Sequence, residues 1–176
     1  MQIMPENMTV LLSLGSNTGN RLLLLTKAIA ELERNGLCIK MKSKIWETAP
    51  WGLTEQPRFL NMCVSAETKL TPEEMINAVK RIEKDLGRTK TIKWGPREID
   101  IDIIAIGDLV VNAPDLTVPH RHMHERAFVL IPLREIFPGF IHPVTGETPD
   151  EMLSLLPEEK MEWIINNENQ RKNNRL

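Results

Sequence analysis

The chain is poor in cysteine. Cys38 and Cys63 are the only two in 176 residues, too few for a disulfide framework and without the paired spacing of a structural zinc site. Two reduced thiols in a cytoplasmic protein are the expectation. Charge of one sign is missing too. With 22 Lys+Arg against 24 Asp+Glu and a net charge of -2, no global field draws the chain to nucleic acid or an anionic membrane, so any phosphate affinity must be local. No apolar run approaches the roughly 18 residues of a membrane span. The first run, Val10 to Leu14, is closed by Gly15-Ser16-Asn17, well short of a signal peptide's pattern. Internal repeats and the glycine and lysine spacing of a Walker A loop are also lacking. What remains is 41% hydrophobic and 26% charged, an ordinary globular composition at a length of about one domain.

The periodicity predicts a mixed fold. Residues 9 to 14 form a short apolar run closed by turn residues, a buried strand. From Asn20 to Asn35 the period becomes helical, with Leu22, Leu25, Ile29 and Leu32 on one stripe and Gly36 as a cap. Residues 37 to 46 and 59 to 68 read as two strands of a long hairpin. Thr71-Pro72-Glu73-Glu74 starts a helix with a capping box, and Gly87 ends it. Residues 98 to 107 alternate as a strand, followed through Gly107-Asp108 by an expected hairpin with 109 to 111. This strand, helix, strand, strand, helix, strand order predicts an α+β fold, a ferredoxin-like antiparallel sheet covered by helices. Residues 113 to 165 are expected to elaborate the same single domain, 1 to 165, and 166 to 176 to form a flexible tail.

Asp100 and Asp102 are the sharpest chemical feature. Side chains alternate along a strand, so the two carboxylates project from one face about 7 Å apart, within reach of magnesium. Aspartate is depleted in strands and like charges repel, so the pair weakens the element that carries it. Just upstream, Arg88, Lys90, Lys93 and Arg97 surround Trp94. Magnesium commonly bridges carboxylates to phosphates while Arg and Lys cover the remaining oxygens, which points to a nucleoside triphosphate. Lys80 and Glu83 share a helix face as the polar edge of a pocket or as a solvated ion pair. Asn61 interrupts an otherwise apolar strand and is hard to explain as core.

The stretch KWGPREIDIDII, Lys93 to Ile104, resembles the signature of the 6-hydroxymethyl-7,8-dihydropterin pyrophosphokinase (HPPK) family. LSLGSNTGNR, ETAPWG, QPRFLN, LTVPH and HERAFVLIPL resemble that family in the same order, from about Thr9 to Pro143. The resemblance implies an enzyme of folate biosynthesis that transfers the diphosphate of ATP to the hydroxymethyl group of the pterin, leaving AMP. It implies two magnesium ions on Asp100 and Asp102, with Arg88, Lys90 and Arg97 as further catalytic residues. The implied pterin site is Thr48, Ala49, Trp51, Phe59, Asn61 and Phe128. The implied ATP site is Lys80, Glu83, Arg88, Lys90, Trp94, Arg97, Ile103, His120, Arg121 and Arg126, with the loop between Gly87 and Gly95 closing over the nucleotide. Partners would be these small molecules, without nucleic acid or membrane, and the protein a monomer.

Several positions depart from the family pattern. Ala49 stands where proline is usual, Trp51 where leucine is, and Lys80 and Lys90 where glutamine and arginine are common. At position 90 the charge is kept and the bidentate grip lost. Arg121 and His122 replace proline and arginine after the first histidine. Two rival readings compete: His120, His122 and His124 on one strand face as ligands of a zinc-dependent hydrolase, or a basic, tryptophan-bearing sheet edge that stacks single-stranded RNA.

Overall fold

The computed structural model describes residues 7–50, 52–89 and 95–157, and the backbone of 164–166. In chain order the elements are β1 (Met8–Ser16), α1 (Arg21–Arg34), β2 (Leu37–Lys42), β3 (Trp46–Thr48), β4 (Phe59–Thr68), α2 (Pro72–Asp85), β5 (Asp100–Ile106), β6 (Val111–Asn112), β7 (Thr117–Val118), α3 (Ala127–Ile136), α4 (Pro149–Ser154) and β8 (Ile164–Asn166), with a 3-10 turn over Met123–Glu125.

Alternation decides which residues build the core. On β1, Val10, Leu12 and Leu14 point to one face of the sheet, where they meet Leu60, Met62 and Val64 of β4 and Ile101 and Ile103 of β5. The stripes of α1 (Leu25, Ala28, Ile29, Leu32) and α2 (Met75, Ala78, Val79, Ile82) close that face. Each Val, Leu, Ile or Met among them, fully buried, contributes about 1.5–3 kcal/mol. The α2 capping box forms as the sequence reading has it: Glu74 N–H donates to the Thr71 hydroxyl (3.2 Å), and Thr71 N–H to the Glu74 carboxylate (2.8 Å).

All pairings are antiparallel, and the main sheet runs β5-β1-β4-β3-β8 with β2 also on β4. The four strands β5-β1-β4-β2 give the ferredoxin-like order that the pattern predicts. The C-terminal elaboration covers the opposite face: Leu11, Cys63, Ile104 and Ala105 pack under Val129, Leu130 and Leu133 of α3 and Met152 and Leu153 of α4.

Two expectations are corrected. Residues 37 to 46 are not one strand; the chain breaks after Lys42, where Ser43 N–H donates to the Cys63 carbonyl (2.9 Å) and Cys63 N–H to the Ser43 hydroxyl (2.9 Å). The two halves lie end to end along β4, β2 against residues 64–68 and β3 against 59–61. Nor does Gly107-Asp108 make a hairpin. Gly107 N–H is spent on the Thr9 carbonyl (2.7 Å), and β6 pairs instead with β7 through the tight turn at Ala113 and Leu116.

Candidate functional site

The second face of the sheet is not covered along its whole length. Beyond the reach of α3, the residues that alternate with the core line a cavity together. Ser13 and Gly15 of β1, Phe59 and Asn61 of β4, Asp100 and Asp102 of β5 and Thr48 of β3 form the floor and walls of one cavity, with Ala49, Gly95, Arg97, Arg126 and Phe128 around it. In register, Gly15 sits between Asn61 on one side and Asp100 on the other.

Close packing fixes the floor. Asn61 is buried and its amide donates to the Thr48 hydroxyl (2.7 Å). A Cβ on Gly15 would lie 2.6 Å from Asn61 Oδ1, so only glycine leaves room for that amide. Phe59 and Phe128 are half-buried cavity walls rather than closed core, and Arg126 lies over the Phe128 ring with its guanidinium carbon 5.7 Å from the centroid.

Asn17, just past β1, organises the rim. Its Oδ1 accepts from Arg97 N–H (2.8 Å), its own N–H donates to the Arg97 carbonyl (3.1 Å), and its amide NH₂ donates to Gln56 Oε1 (2.9 Å) and the Pro57 carbonyl (3.0 Å). Sequence reasoning assigned no role to Ser13, Gly15, Asn17 or Gln56. Ser13, Gly15 and Asn17 lie in LSLGSNTGNR and Gln56 in QPRFLN, stretches that carry the family resemblance without a site role of their own.

The carboxylates carry the electrostatics. Asp100 accepts from Arg97 (2.7 Å) and pairs with Arg88 (3.0 Å); Asp102 pairs with Arg126 (3.2 Å) and faces His120 Nε2 at 3.9 Å. Burial, reinforced by the charge of Asp102, pushes the Asp100 carboxyl above its ordinary range, against the pull of Arg97 and Arg88. Glu83 is buried and accepts from Ile101 N–H (2.8 Å) while pairing with Arg88. Burial lifts its carboxyl to about 7. Arg88 follows Gly87, whose φ of +93° ends α2 and turns the chain toward Asp100.

A second cavity opens at the free edge of β5. Ile76, Ile101, Ile103, Pro114 and Leu116 give it an apolar side, and Asp102, Asp115, Thr117, His120 and Arg121 a polar one. His120 Nδ1 accepts from His122 N–H (3.2 Å), so a neutral ring carries its proton on Nε2. Burial, with the charge of Arg126 next, lowers its pKa to about 4, so the ring is neutral at pH 7.

Lys80 and Glu83 do not pair with each other: Lys80 reaches Asp115 (3.1 Å), and Glu83 turns inward to Ile101 and Arg88. Trp51, Lys90 and Trp94 lie outside the described residues. The zinc reading is corrected. His124 sits in the 3-10 turn, not on a strand with His120, and it faces Glu125 at 3.5 Å. Among the described residues no three His, Cys, Asp or Glu side chains gather as a metal site. No helix among them is long and apolar enough to cross a membrane.

Residues 11–138 match the family described as 7,8-dihydro-6-hydroxymethylpterin-pyrophosphokinase. The 2-amino-4-hydroxy-6-hydroxymethyldihydropteridine pyrophosphokinase of Aquifex aeolicus is 45% identical over 136 residues, 77% of this chain and 84% of that protein. The protein of the same name from Methylorubrum extorquens is 41% identical over 154 residues, 87% of this chain and 96% of its own. The mitochondrial folate synthesis bifunctional protein of Pisum sativum is 45% identical, and the matched part is 26% of its length; the chain thus spans about a quarter of that relative. The crystal structure of wild-type Plasmodium falciparum HPPK-DHPS superposes with a TM-score of 0.69 at 16% identity, covering 92% of this chain and 47% of that one. At that identity the likeness concerns the fold.

Proposed function

The chain belongs to the 7,8-dihydro-6-hydroxymethylpterin-pyrophosphokinase family, and on that premise we propose that it transfers the terminal diphosphate of ATP to the hydroxymethyl group of 6-hydroxymethyl-7,8-dihydropterin, releasing AMP. The observation that carries the reading is that the two cavities share a wall at Asp102. Two substrates, one in each, meet there.

The first cavity suits the pterin. Phe59 and Phe128 offer faces to a flat heterocycle, and the Asn61 amide, held by Thr48, offers a donor and an acceptor. Ala49 lines the same cavity, and the resemblance adds Trp51 to the proposed pterin site. The second cavity suits ATP. Its apolar side, Ile76, Ile103 and Leu116, accepts the base, while His120, as an Nε2–H donor, and Arg121 face the phosphates. Arg88, Arg97 and Arg126, now on the carboxylates, would follow phosphate oxygens, and the resemblance adds Lys80, Lys90 and Trp94 to the proposed ATP site.

The donor set fits magnesium. Asp100 and Asp102 offer hard oxygen ligands from one face of β5. With no third carboxylate or imidazole gathered there among the described residues, remaining coordination positions are left for phosphates and water. Asp100 and Asp102 would hold two such ions, which when bound supply charge neutralisation and orientation of the triphosphate.

In the transfer, the hydroxymethyl oxygen forms a bond to the β-phosphorus as the bond from that phosphorus to the α,β-bridging oxygen breaks. AMP departs and the hydroxyl proton passes to solvent. The protein's part is mostly positioning: the walls fix the pterin ring, and the arginines offset charge on the phosphates. The single-stranded RNA reading has no observation in its favour, since Asp100 and Asp102 line the first cavity and Asp102 and Asp115 the second, where they would repel a phosphate backbone. The test is AMP release from ATP with magnesium. AMP that requires the pterin and vanishes in Asp100→Ala supports the proposal; pterin-independent AMP, or none from folded protein, contradicts it.

A further inference from the structure

One buried-edge ion pair stands outside both cavities. Arg21 is the first residue of α1, positioned by the Asn20 cap. Its Nη1 donates to Glu47 Oε1 (2.9 Å) and to the Arg58 carbonyl (2.8 Å). Glu47 immediately precedes Thr48 on β3, and Arg58 immediately precedes Phe59 on β4. A single nitrogen on the helix side of the molecule thus ties together the two strand ends that present Thr48 and Phe59 to the first cavity.

The tie comes where the strands need one. β3 has only three residues, paired with β4 at Trp46↔Asn61, Glu47↔Leu60 and Thr48↔Phe59. Beyond Thr48 the chain leaves the ladder for the loop that carries Ala49. β8 pairs with the same three residues on the other side of β3, and the Arg58 guanidinium reaches the Glu47 carbonyl (3.4 Å); neither ladder extends past Thr48, so the strand end relies on side-chain ties. Glu47 is 16% exposed at its side chain and Arg21 31%, so water screens the pair less than a surface bridge, and both contacts are charge-assisted. Thr48 in turn holds the Asn61 amide, so any shift of β3 reaches the floor of the cavity.

We propose that Arg21 is a positioning residue for the pterin subsite: through Glu47 and the Arg58 carbonyl it locks the β3–β4 end and so sets the spacing of Thr48, Asn61 and Phe59. The inference rests on the reading of the first cavity as the pterin site. The nucleotide cavity is built from β5, α2, the β6–β7 hairpin and the residues just after it, whereas the Arg21 guanidinium bonds to the β3 and β4 ends. Removing Arg21 therefore acts on one substrate and spares the other. Because both bonds leave one nitrogen, a lysine ammonium can replace them where alanine cannot.

The experiment measures binding of 6-hydroxymethyl-7,8-dihydropterin and, separately, of a non-hydrolysable ATP analogue by calorimetry, for wild type, Arg21→Ala, Arg21→Lys and Glu47→Gln. Since a tenfold change in affinity is about the size of one lost charge-assisted bond, Arg21→Ala is expected to weaken the pterin by about tenfold and to leave the nucleotide within about twofold. Glu47→Gln is expected to weaken the pterin less, and Arg21→Lys to recover most of the loss. The retained nucleotide affinity shows that the variant is folded. Pterin binding by Arg21→Ala equal to a wild type that does bind it would overturn the positioning role. So would an equal loss of both ligands. A wild type that binds no pterin would overturn the assignment of the cavity, and the inference with it.

Discussion

Asn17 and Arg97, 80 residues apart, hold each other by two hydrogen bonds: Arg97 N–H donates to the Asn17 side chain at 2.8 Å, and Asn17 N–H donates to the Arg97 carbonyl at 3.1 Å. The same asparagine grips Gln56 and Pro57. The end of β1, the loop before β4 and the segment before β5 are therefore one rim, and the Arg97 guanidinium reaches Asp100 from a fixed backbone.

Asn17→Ala removes all the side-chain bonds at once. A part-buried backbone N–H at Arg97 is left without its acceptor, a penalty of about 1 kcal/mol. Thermal unfolding is expected to show that loss, and turnover to fall by about 100-fold because a displacement near 1 Å at the carboxylate partner is enough. Turnover within twofold of wild type would show that the rim does not need this clamp.

Gly15→Ala tests the crowding under Asn61. The added methyl meets Oδ1 at 2.6 Å, and the amide must turn away from Thr48. Because the displaced atom ends a side chain, stability is expected to fall by only about 1 kcal/mol, less than for a shifted backbone. The KM for the pterin is expected to rise about tenfold, a loss of the size of one amide contact. An unchanged KM for the pterin would mean that the Asn61 amide does not read it.

Much of this was legible in the sequence, and the gaps have physical causes. The α2 capping box is a local signal and stands as read; the alternation of β5 holds from Asp100 to Ile103 and is then broken by a bulge opposite Leu11 and Leu12, which puts Ala105 on the face away from Ile101 and Ile103. The pair Asp100 and Asp102 follows from a two-residue period, which requires no tertiary knowledge. The break after Lys42 was not legible, because Ser43 is fixed by a partner 20 residues on, Cys63. The Gly107-Asp108 turn has hairpin chemistry, but Gly107 N–H is captured by Thr9. Alternating histidines at 120, 122 and 124 imply one face only if the segment is extended, and a 3-10 turn rotates His124 away. β8 pairs with β3 from a stretch whose composition offers no strand pattern.

Glu83 links the fold to pH. Its carboxyl sits at about 7 in the folded chain against an ordinary 4.5, chiefly through burial. The folded state thus holds this proton more tightly than the unfolded one. That contribution to stability is complete below pH 4.5 and is lost as pH rises through about 7. Wild-type unfolding is expected to weaken across that window by at most about 1.4 kcal/mol per pH unit from this group. Glu83→Gln is expected to flatten the profile between these limits; a variant whose stability falls in parallel with wild type would remove Glu83 as the cause.

Chelation separates charge balance from chemistry. Arg97, Arg88 and Arg126 already pair with Asp100 and Asp102, so the fold does not depend on a divalent ion. EDTA is expected to abolish turnover and magnesium to restore it, while the unfolding temperature in the absence of substrates moves by less than about 2 °C, the size of about 0.5–1 kcal/mol. A collapse of the fold on chelation would place the ion in a structural role instead.

The most direct test follows the phosphorus itself. Phosphorus NMR of ATP incubated with magnesium, the protein and 6-hydroxymethyl-7,8-dihydropterin distinguishes attack at the β-phosphorus from attack at the γ. AMP and a pterin diphosphate, formed together and in equal amounts, are the expected products. ADP with a pterin monophosphate, or phosphate release indifferent to the pterin, would contradict the proposed transfer.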